Sequence, residues 1–395
     1  MIKRLKKIVL KGIKTVGMRP LFFNEPAGVI STLEWVNANK NTPGAFFFHL
    51  NGGVHVSETA PVVIGNSISE RFTKYYNRKT NDAFVAKIPR GRTLGENCNI
   101  ILSPDHKVLS DVSREFGAEG GKKIADFSVF NSGKRMPVLK KIKGTLAVLS
   151  TCGSANFHHW NYDILPRFQL LKEAGLINEI DFFLLNYKGL PFQKEGLKRI
   201  GVREDRIINT NGHANLFIEA SYLIVPSLTE DLGTITPWVI DFLRSTFILE
   251  KELPKEIIDK LYISRRHASS RKIINEGAVM EELFKRGYKE FTPEHHSISE
   301  TAAIFSRAKS IVSVHGSGLS NLAFAEAGTK VLDIMAPYHQ DTYYWMITNQ
   351  RKAKYVALFA EGEHPSDKVD LVKANVDNDL MIDIDKFRLA LNEVS

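Results

Sequence analysis

The chain has 395 residues, too many for one ordinary hydrophobic core, so two domains are expected. Its 43% hydrophobic and 25% charged content exclude a wholly disordered chain, and two cysteines, Cys98 and Cys152, exclude a disulfide scaffold and fit a reducing compartment. Seven of the positives behind the net charge of +9 lie in the first nineteen residues, and the +2 that remains argues against a nucleic-acid partner.

Those seven are Lys3, Arg4, Lys6, Lys7, Lys11, Lys14 and Arg19, with Ile2, Leu5, Val9, Ile13 and Val16 at helical spacing between them. Residues 1–19 are expected to form a basic amphipathic leader lying on an anionic membrane. Its interrupting lysines make it a poor secretory signal, and no apolar run reaches the roughly 18 residues of a membrane span. Residues 20–140 hold the short strand-like runs "GAFFFHL", "APVVIG", "AFVAKIP", "NCNIILS" and "KVLSDVS", punctuated by "NGG", "SPDH" and "NSGK". A β-rich, partly irregular front section is expected there.

Alternation begins near residue 144. Strand "TLAVLS" precedes a helical pattern over 157–174, strand "DFFLLN", helix "FQKEGLKRIG", strand "RIINT" and strand "ASYLIVPS". The linker-like "LTEDLGTITPW" leads to a helix opened by Pro237. A second series comes next: strand "KLYISR", helix 275–286, strand "YKEFT", helix 298–308, strand "SIVSVHG", helix 318–326 and strand "KVLDIMA". Two such series predict an α/β protein with parallel sheets, an N-terminal domain over 20–228 and a C-terminal domain over 229–395. Ligands of such folds bind at the carboxyl ends of strands.

Three stretches carry chemistry. In "FHHWNYDILPRF", a continuous helix would set His159, Asp163 and Arg167 at i, i+4 and i+8 on one face. An aspartate one turn from a histidine orients the imidazole and raises its basicity, and an arginine binds an anion or holds the aspartate. Pro166 either kinks this helix or opens a later one. In "YISRRHASSRKIINE", a strand delivers Arg265 and Arg266, and a polar loop leads to Arg271, Asn275 and Glu276, a pattern suited to a diphosphate. In "IVSVHGSGLSNLAFAEAGTKVLDI", a buried strand ends at His315, and Gly316 and Gly318 allow a tight turn before Ser320 and Asn321. That turn matches neither a Walker loop nor the G-x-G-x-x-G dinucleotide pattern. Asp377, Asp379, Asp383 and Asp385 in the tail read as a solvated acidic run, and His295 and His296 as surface residues.

Together, and in this order, the three stretches resemble glycosyltransferase family 61. The first resembles the family's His-His-Trp…Asp…Leu-Pro-Arg segment through His158, His159, Trp160, Asp163, Leu165, Pro166 and Arg167. The second resembles its Ser-Arg…Arg…Asn-Glu segment through Ser264, Arg265, Arg271, Asn275 and Glu276, and the third its His-Gly-x-Gly-Leu…Asn segment through His315, Gly316, Gly318, Leu319 and Asn321. Asp333 stands where the family commonly has glutamate. The resemblance covers roughly residues 90–350. It implies a GT-B-like fold of two Rossmann-like domains facing a cleft, and an inverting transfer from a nucleotide sugar, a UDP-sugar, to a glycan acceptor. It implies no obligatory metal and no cofactor beyond the donor. Without the signal or anchor of eukaryotic members, the chain looks more like bacterial members of capsule or surface-polysaccharide clusters. That implies a cytoplasmic site, peripheral on the inner face of the cell membrane.

Inverting transfer needs a base for the acceptor hydroxyl and positive charge for the leaving diphosphate. His158, His159 and Asp163 are the candidates for the base. Arg167, Arg265, Arg271, Asn275, Glu276, His315, Gly316, Gly318 and Asn321 are the candidates for nucleotide-sugar binding. Two rivals remain: a His-His-x-x-x-Asp acyltransferase with His159 as base, although Ile164 stands where those enzymes carry glycine, and a non-catalytic scaffold of a polysaccharide assembly complex.

Overall fold

The computed structural model describes residues 25–65, 70–95, 99–117, 120–131, 136–151, 153–213, 216–231, 234–249, 258–337, 341–362 and 378–395. The expected leader over 1–19, Cys98, Cys152 and Asp377 lie outside the described residues. The chain divides into two compact units, one of residues 1–53 and 81–229, the other of residues 54–80 and 230–395.

The first unit is built on a ten-stranded sheet around the long strand Leu216–Pro226. One edge of this strand runs parallel to Lys140–Val148, which is followed by Phe182–Leu185 and Ile207–Asn209, also parallel. The other edge is antiparallel to Ala83–Pro89 and Arg92–Gly95. The sheet is therefore mixed where a parallel one was expected, because strands of the front section extend it in the opposite sense. Gly91 makes this possible: a Cβ there would lie 2.8 Å from the Cβ of Leu223 in the facing strand. Ile142, Leu146 and Val148 pack with Ile88, Leu184, Leu223, Val225 and Trp35 in the core beneath.

The second unit holds a six-stranded sheet in which every pair is parallel. Its order is Lys289–Phe291, Lys260–Ile263, Ser310–Val314, Lys330–Met335, Lys354–Phe359 and Val62–Ile64. From Lys260–Ile263 the chain first builds to one side and then to the other. This reversal marks a switch point at the carboxyl ends of Lys260–Ile263 and Ser310–Val314, the place where ligands of such sheets bind. Ser310–Val314 is buried along its whole length, as a strand covered on both faces must be. The final helix, Ile384–Val394, adds Phe387, Ala390, Leu391 and Val394 to this core. Asp383, read as part of an acidic run, caps that helix by accepting from the amides of Asp385 and Lys386. No helix among the described residues is long and apolar enough to cross a membrane.

Residues 54–80 correct the expected domain boundary. They sit inside the predicted 20–228 domain, yet Val62–Ile64 completes the second sheet. Trp345 Nε1 donates to the Thr59 carbonyl at 2.8 Å, and Phe72 lies edge-on to the Trp345 ring at 5.2 Å. Arg78 donates to the Ile235 carbonyl and to Glu230 at 3.4 Å, and stands 3.7 Å from Glu58.

Both Glu58 oxygens are buried, and among the described residues neither has a hydrogen-bond partner. Burial pushes the Glu58 carboxyl up to about 7, against the opposing pull of Arg78. A folded-state value above the unfolded 4.5 means that stability is highest below about pH 4.5 and falls as the pH rises to about 7. The full penalty above that window is at most about 3 kcal/mol. Glu58→Gln is expected to raise the melting temperature by a few degrees at pH 8 and little at pH 5. Equal effects at the two pH values would contradict this.

Candidate active site

The first cluster follows the buried strand Lys140–Val148. Asn156 caps the next turn, its side chain accepting from the His158 amide at 2.8 Å. One helical turn, Phe157–His159, passes into a wider π turn, Trp160–Ile164, closed by the Leu165 amide on the Trp160 carbonyl at 2.9 Å. Pro166 has no amide to donate and stands at the cap of the helix Arg167–Glu173. Of the two roles open to Pro166, it takes the second and opens a later helix segment.

This geometry joins His159 Nδ1 to Asp163 Oδ2 at 2.7 Å, with both side chains about a third exposed. Burial pushes the Asp163 carboxyl up, but the His159 hydrogen bond and the charges of His159, His158 and Arg114 outweigh it and hold Asp163 below the usual carboxylate value. An ionised Asp163 accepts from Nδ1–H, which fixes the tautomer and makes Nε2 the basic nitrogen. His158 is buried and stacks on Tyr162 at 4.6 Å. Of the three base candidates, His159 is thus both accessible and oriented. Gly153, at φ +79°, lets the ring lie over the backbone, since a Cβ there would come 2.6 Å from His159 Cδ2. Neither Gly153 nor Arg114 was picked out from the sequence. Arg114 falls in the irregular front section, where no spacing marks it.

Arg167 is a correction. It is only 2% exposed, and its guanidinium donates to the carbonyls of Val148, Pro226 and Ser227 at 2.8–3.1 Å. Its observed contacts clamp the ends of two strands. Burial draws its pKa down to about 9, so it remains charged at neutral pH.

The second cluster lies at the switch point of the second sheet. Arg265 follows Lys260–Ile263 and donates to the Ser270 carbonyl at 3.0 Å. Its guanidinium lies directly on Gly316, where any Cβ would collide with Nη1. Arg271, at φ +56°, donates to the His315 carbonyl at 2.9 Å. His315 Nδ1 meets Asp333 Oδ2 at 2.8 Å. Gly318 packs on Ile263, leaving 3.2 Å for a Cβ. Asn321 donates to the Gly318 carbonyl at 3.0 Å, and among the described residues its buried Oδ1 has no hydrogen-bond partner. The predicted helix over 318–326 is a 3₁₀ helix, Ser317–Phe324. Arg265, Arg271, His315, Gly316, Gly318 and Asn321 therefore gather as expected from their positions at strand ends.

Asn275 and Glu276 do not join them. The Asn275 amide is taken up by the Ile382 backbone, donating at 2.8 Å and accepting at 3.1 Å. Glu276 accepts from Tyr262 and Ser264, each at 2.9 Å, and from Arg266 at 3.3 Å. Both residues brace the loop that carries the arginines. Asp333 and Tyr355 were missed as site residues: nothing local in their strands marks them as partners of His315.

Residues 157–332 match the family described as Glycosyltransferase 61. The glycosyltransferase 61 match begins at the His159 cluster, continues from the first unit into the second, and ends one residue before Asp333; it covers under half of the chain. A protein of Oryza sativa subsp. japonica described as a beta-1,2-xylosyltransferase, XAX1, is 26% identical over 254 residues. The aligned part is 57% of this chain and 42% of that relative, so the chain spans less than half of the relative's length.

Arg167→Met would fill the same space and leave three buried carbonyls without their donor. Urea unfolding should show a loss of about 3–5 kcal/mol. A loss below about 1 kcal/mol, with a fall in nucleotide affinity, would return Arg167 to the ligand-binding set.

Proposed function

We propose that the protein is an inverting glycosyltransferase that moves a hexose or pentose from a nucleoside-diphosphate sugar, a UDP-sugar, to a glycan acceptor without an obligatory metal. The observation that carries this reading is the second cluster: two arginines and a glycine floor at the switch point of a parallel sheet, inside the glycosyltransferase 61 match. Guanidinium groups and nearby backbone amides are suited to a diphosphate, and they can carry the leaving group's charge without a cation.

In this reading the acceptor oxygen forms a bond to the anomeric carbon as the bond to the diphosphate breaks on the opposite face. The hydroxyl proton passes to His159 Nε2, and Asp163 balances the imidazolium that results. Arg265 and Arg271 hold the departing diphosphate. The proposal includes a GT-B organisation of two Rossmann-like domains, as the family resemblance implies. It places the work in bacterial capsule or other surface-polysaccharide synthesis, on the cytoplasmic face of the cell membrane, with residues 1–19 as the peripheral contact. The basic, apolar-striped sequence of those residues supports that last point.

Thermal denaturation with UDP, GDP, CDP, CMP and coenzyme A, each with EDTA and with magnesium, tests the reading. One nucleotide should raise the melting temperature by a few degrees in EDTA, as about 2.7 kcal/mol of linkage at a hundredfold excess over Kd requires. Arg265→Ala should weaken that nucleotide at least about tenfold. A response to coenzyme A alone would overturn the reading in favour of an acyltransferase.

A further inference from the structure

Residues 379–382 lie well beyond the stretch that matches glycosyltransferase 61, yet they are built into the loop that carries Arg271. Asp379 Oδ1 accepts from the Lys272 amide at 2.9 Å. The Leu380 amide donates to the Lys272 carbonyl at 2.7 Å, and the Ile274 amide donates to the Leu380 carbonyl at 2.8 Å. These two bonds form a parallel bridge between Ile273 and Leu380. The Asn275 side chain completes the seam, donating to the Ile382 carbonyl at 2.8 Å and accepting from the Ile382 amide at 3.1 Å. Each residue from Lys272 to Asn275 is thus tied to the tail.

The tail side of this seam is anchored. Leu380 and Ile382 are buried in the same core as Ile273 and Phe387, and Asp383 then caps the final helix. Arg271 stands directly before the seam at φ +56°, a left-handed conformation that costs free energy for a residue with a Cβ. Such a conformation persists where the surrounding structure fixes the backbone. On one side of Arg271, the Ser270 carbonyl accepts from Arg265 at 3.0 Å. On the other, the seam begins at the Lys272 amide. From this backbone the Arg271 side chain reaches the His315 carbonyl at 2.9 Å, at the switch point of the sheet. With the seam open, Arg271 would relax toward negative φ, and a rotation at its root would carry the guanidinium away from that place.

We infer that the tail segment Asp379–Ile382 positions the donor nucleotide through Arg271, with Asp379 and Asn275 as the positioning residues. This deepens the nucleotide-sugar reading and rests on it. Asp379 touches no ligand in this account. It holds the amide next to Arg271, and so holds the left-handed turn from which the guanidinium meets a diphosphate oxygen. Asp379, expected from the sequence to belong to a solvated acidic run, therefore has a task that its neighbours in the tail do not share. Its side chain is exposed, so its removal leaves no cavity in the core.

Calorimetry on the full chain tests this, with whichever of UDP, GDP and CDP the wild type binds as the probe. Asp379→Ala should weaken binding about threefold to tenfold, the range of one hydrogen bond. Asp379→Asn keeps an acceptor oxygen for the Lys272 amide and should bind as the wild type does. Arg271→Ala should weaken binding about tenfold by itself. Adding Asp379→Ala to Arg271→Ala should then change affinity by less than about twofold, because the tail acts through the guanidinium that is already gone. A tail that served stability alone would give the same loss in both backgrounds. Asn275→Ala supplies an independent reading of the seam and should show the same dependence on Arg271. Wild-type affinity in both Asp379→Ala and Asn275→Ala, or losses that add to that of Arg271→Ala, would overturn the positioning role while leaving the nucleotide site intact. No binding of UDP, GDP or CDP by the wild type would overturn the nucleotide reading itself, and the inference with it.

Discussion

The guanidinium of Arg265 rests on the α-carbon of Gly316, in space that any side chain at position 316 would fill. Much of the second unit depends on that contact. The arginine leaves the end of one buried parallel strand and the glycine leaves the end of its neighbour, so the two meet only where the strand order reverses. Arg271 then donates to the carbonyl just before the glycine. Glu276 and Asn275 brace the loop between the arginines, one through Tyr262, Ser264 and Arg266, the other through the backbone of Ile382.

The first unit solves a comparable problem with other residues. Gly153 leaves room for the His159 ring, and Asp163 fixes its tautomer. Arg167, deeper in, ties the ends of Lys140–Val148 and Leu216–Pro226 together through carbonyls that would otherwise be buried without donors. In each unit a buried charged group sets the position of a histidine or of the strand ends beside it.

Legibility in the sequence varied with the physics. The strands of the second sheet were plain because burial on both faces makes them continuous apolar runs, as in "SIVSV". "APVVIG" was also readable as a strand, but its partner lies almost three hundred residues away, at Val356–Leu358, and pairing over such a distance has no local mark. Arg167 misled for a geometric reason. Spacing of i, i+4, i+8 assumes an unbroken α-helix, and the π turn at Trp160–Ile164 inserts the equivalent of one residue, rotating the next helix segment by about 100°. Asp163 precedes the end of that turn and stays with His159; Arg167 comes after it. Asn275 can donate to a phosphate and Glu276 was included through its place in the second stretch, yet the Ile382 backbone engages the first and Tyr262, Ser264 and Arg266 engage the second. Asp333 was marked by the family resemblance as an acid in an apolar strand, but its contacts with His315 and Tyr355 come from the adjoining strands and have no local mark.

The proposed reading gives the base to His159 and the diphosphate to Arg265 and Arg271, and one comparison tests it most directly: nucleotide affinity and transfer rate measured side by side for His159→Ala. With the base removed, the transfer rate should fall at least about a hundredfold, while affinity for the nucleotide stays at the wild-type value. A variant that keeps its transfer rate, or that loses nucleotide binding in step with it, would contradict the assignment of His159 as the base.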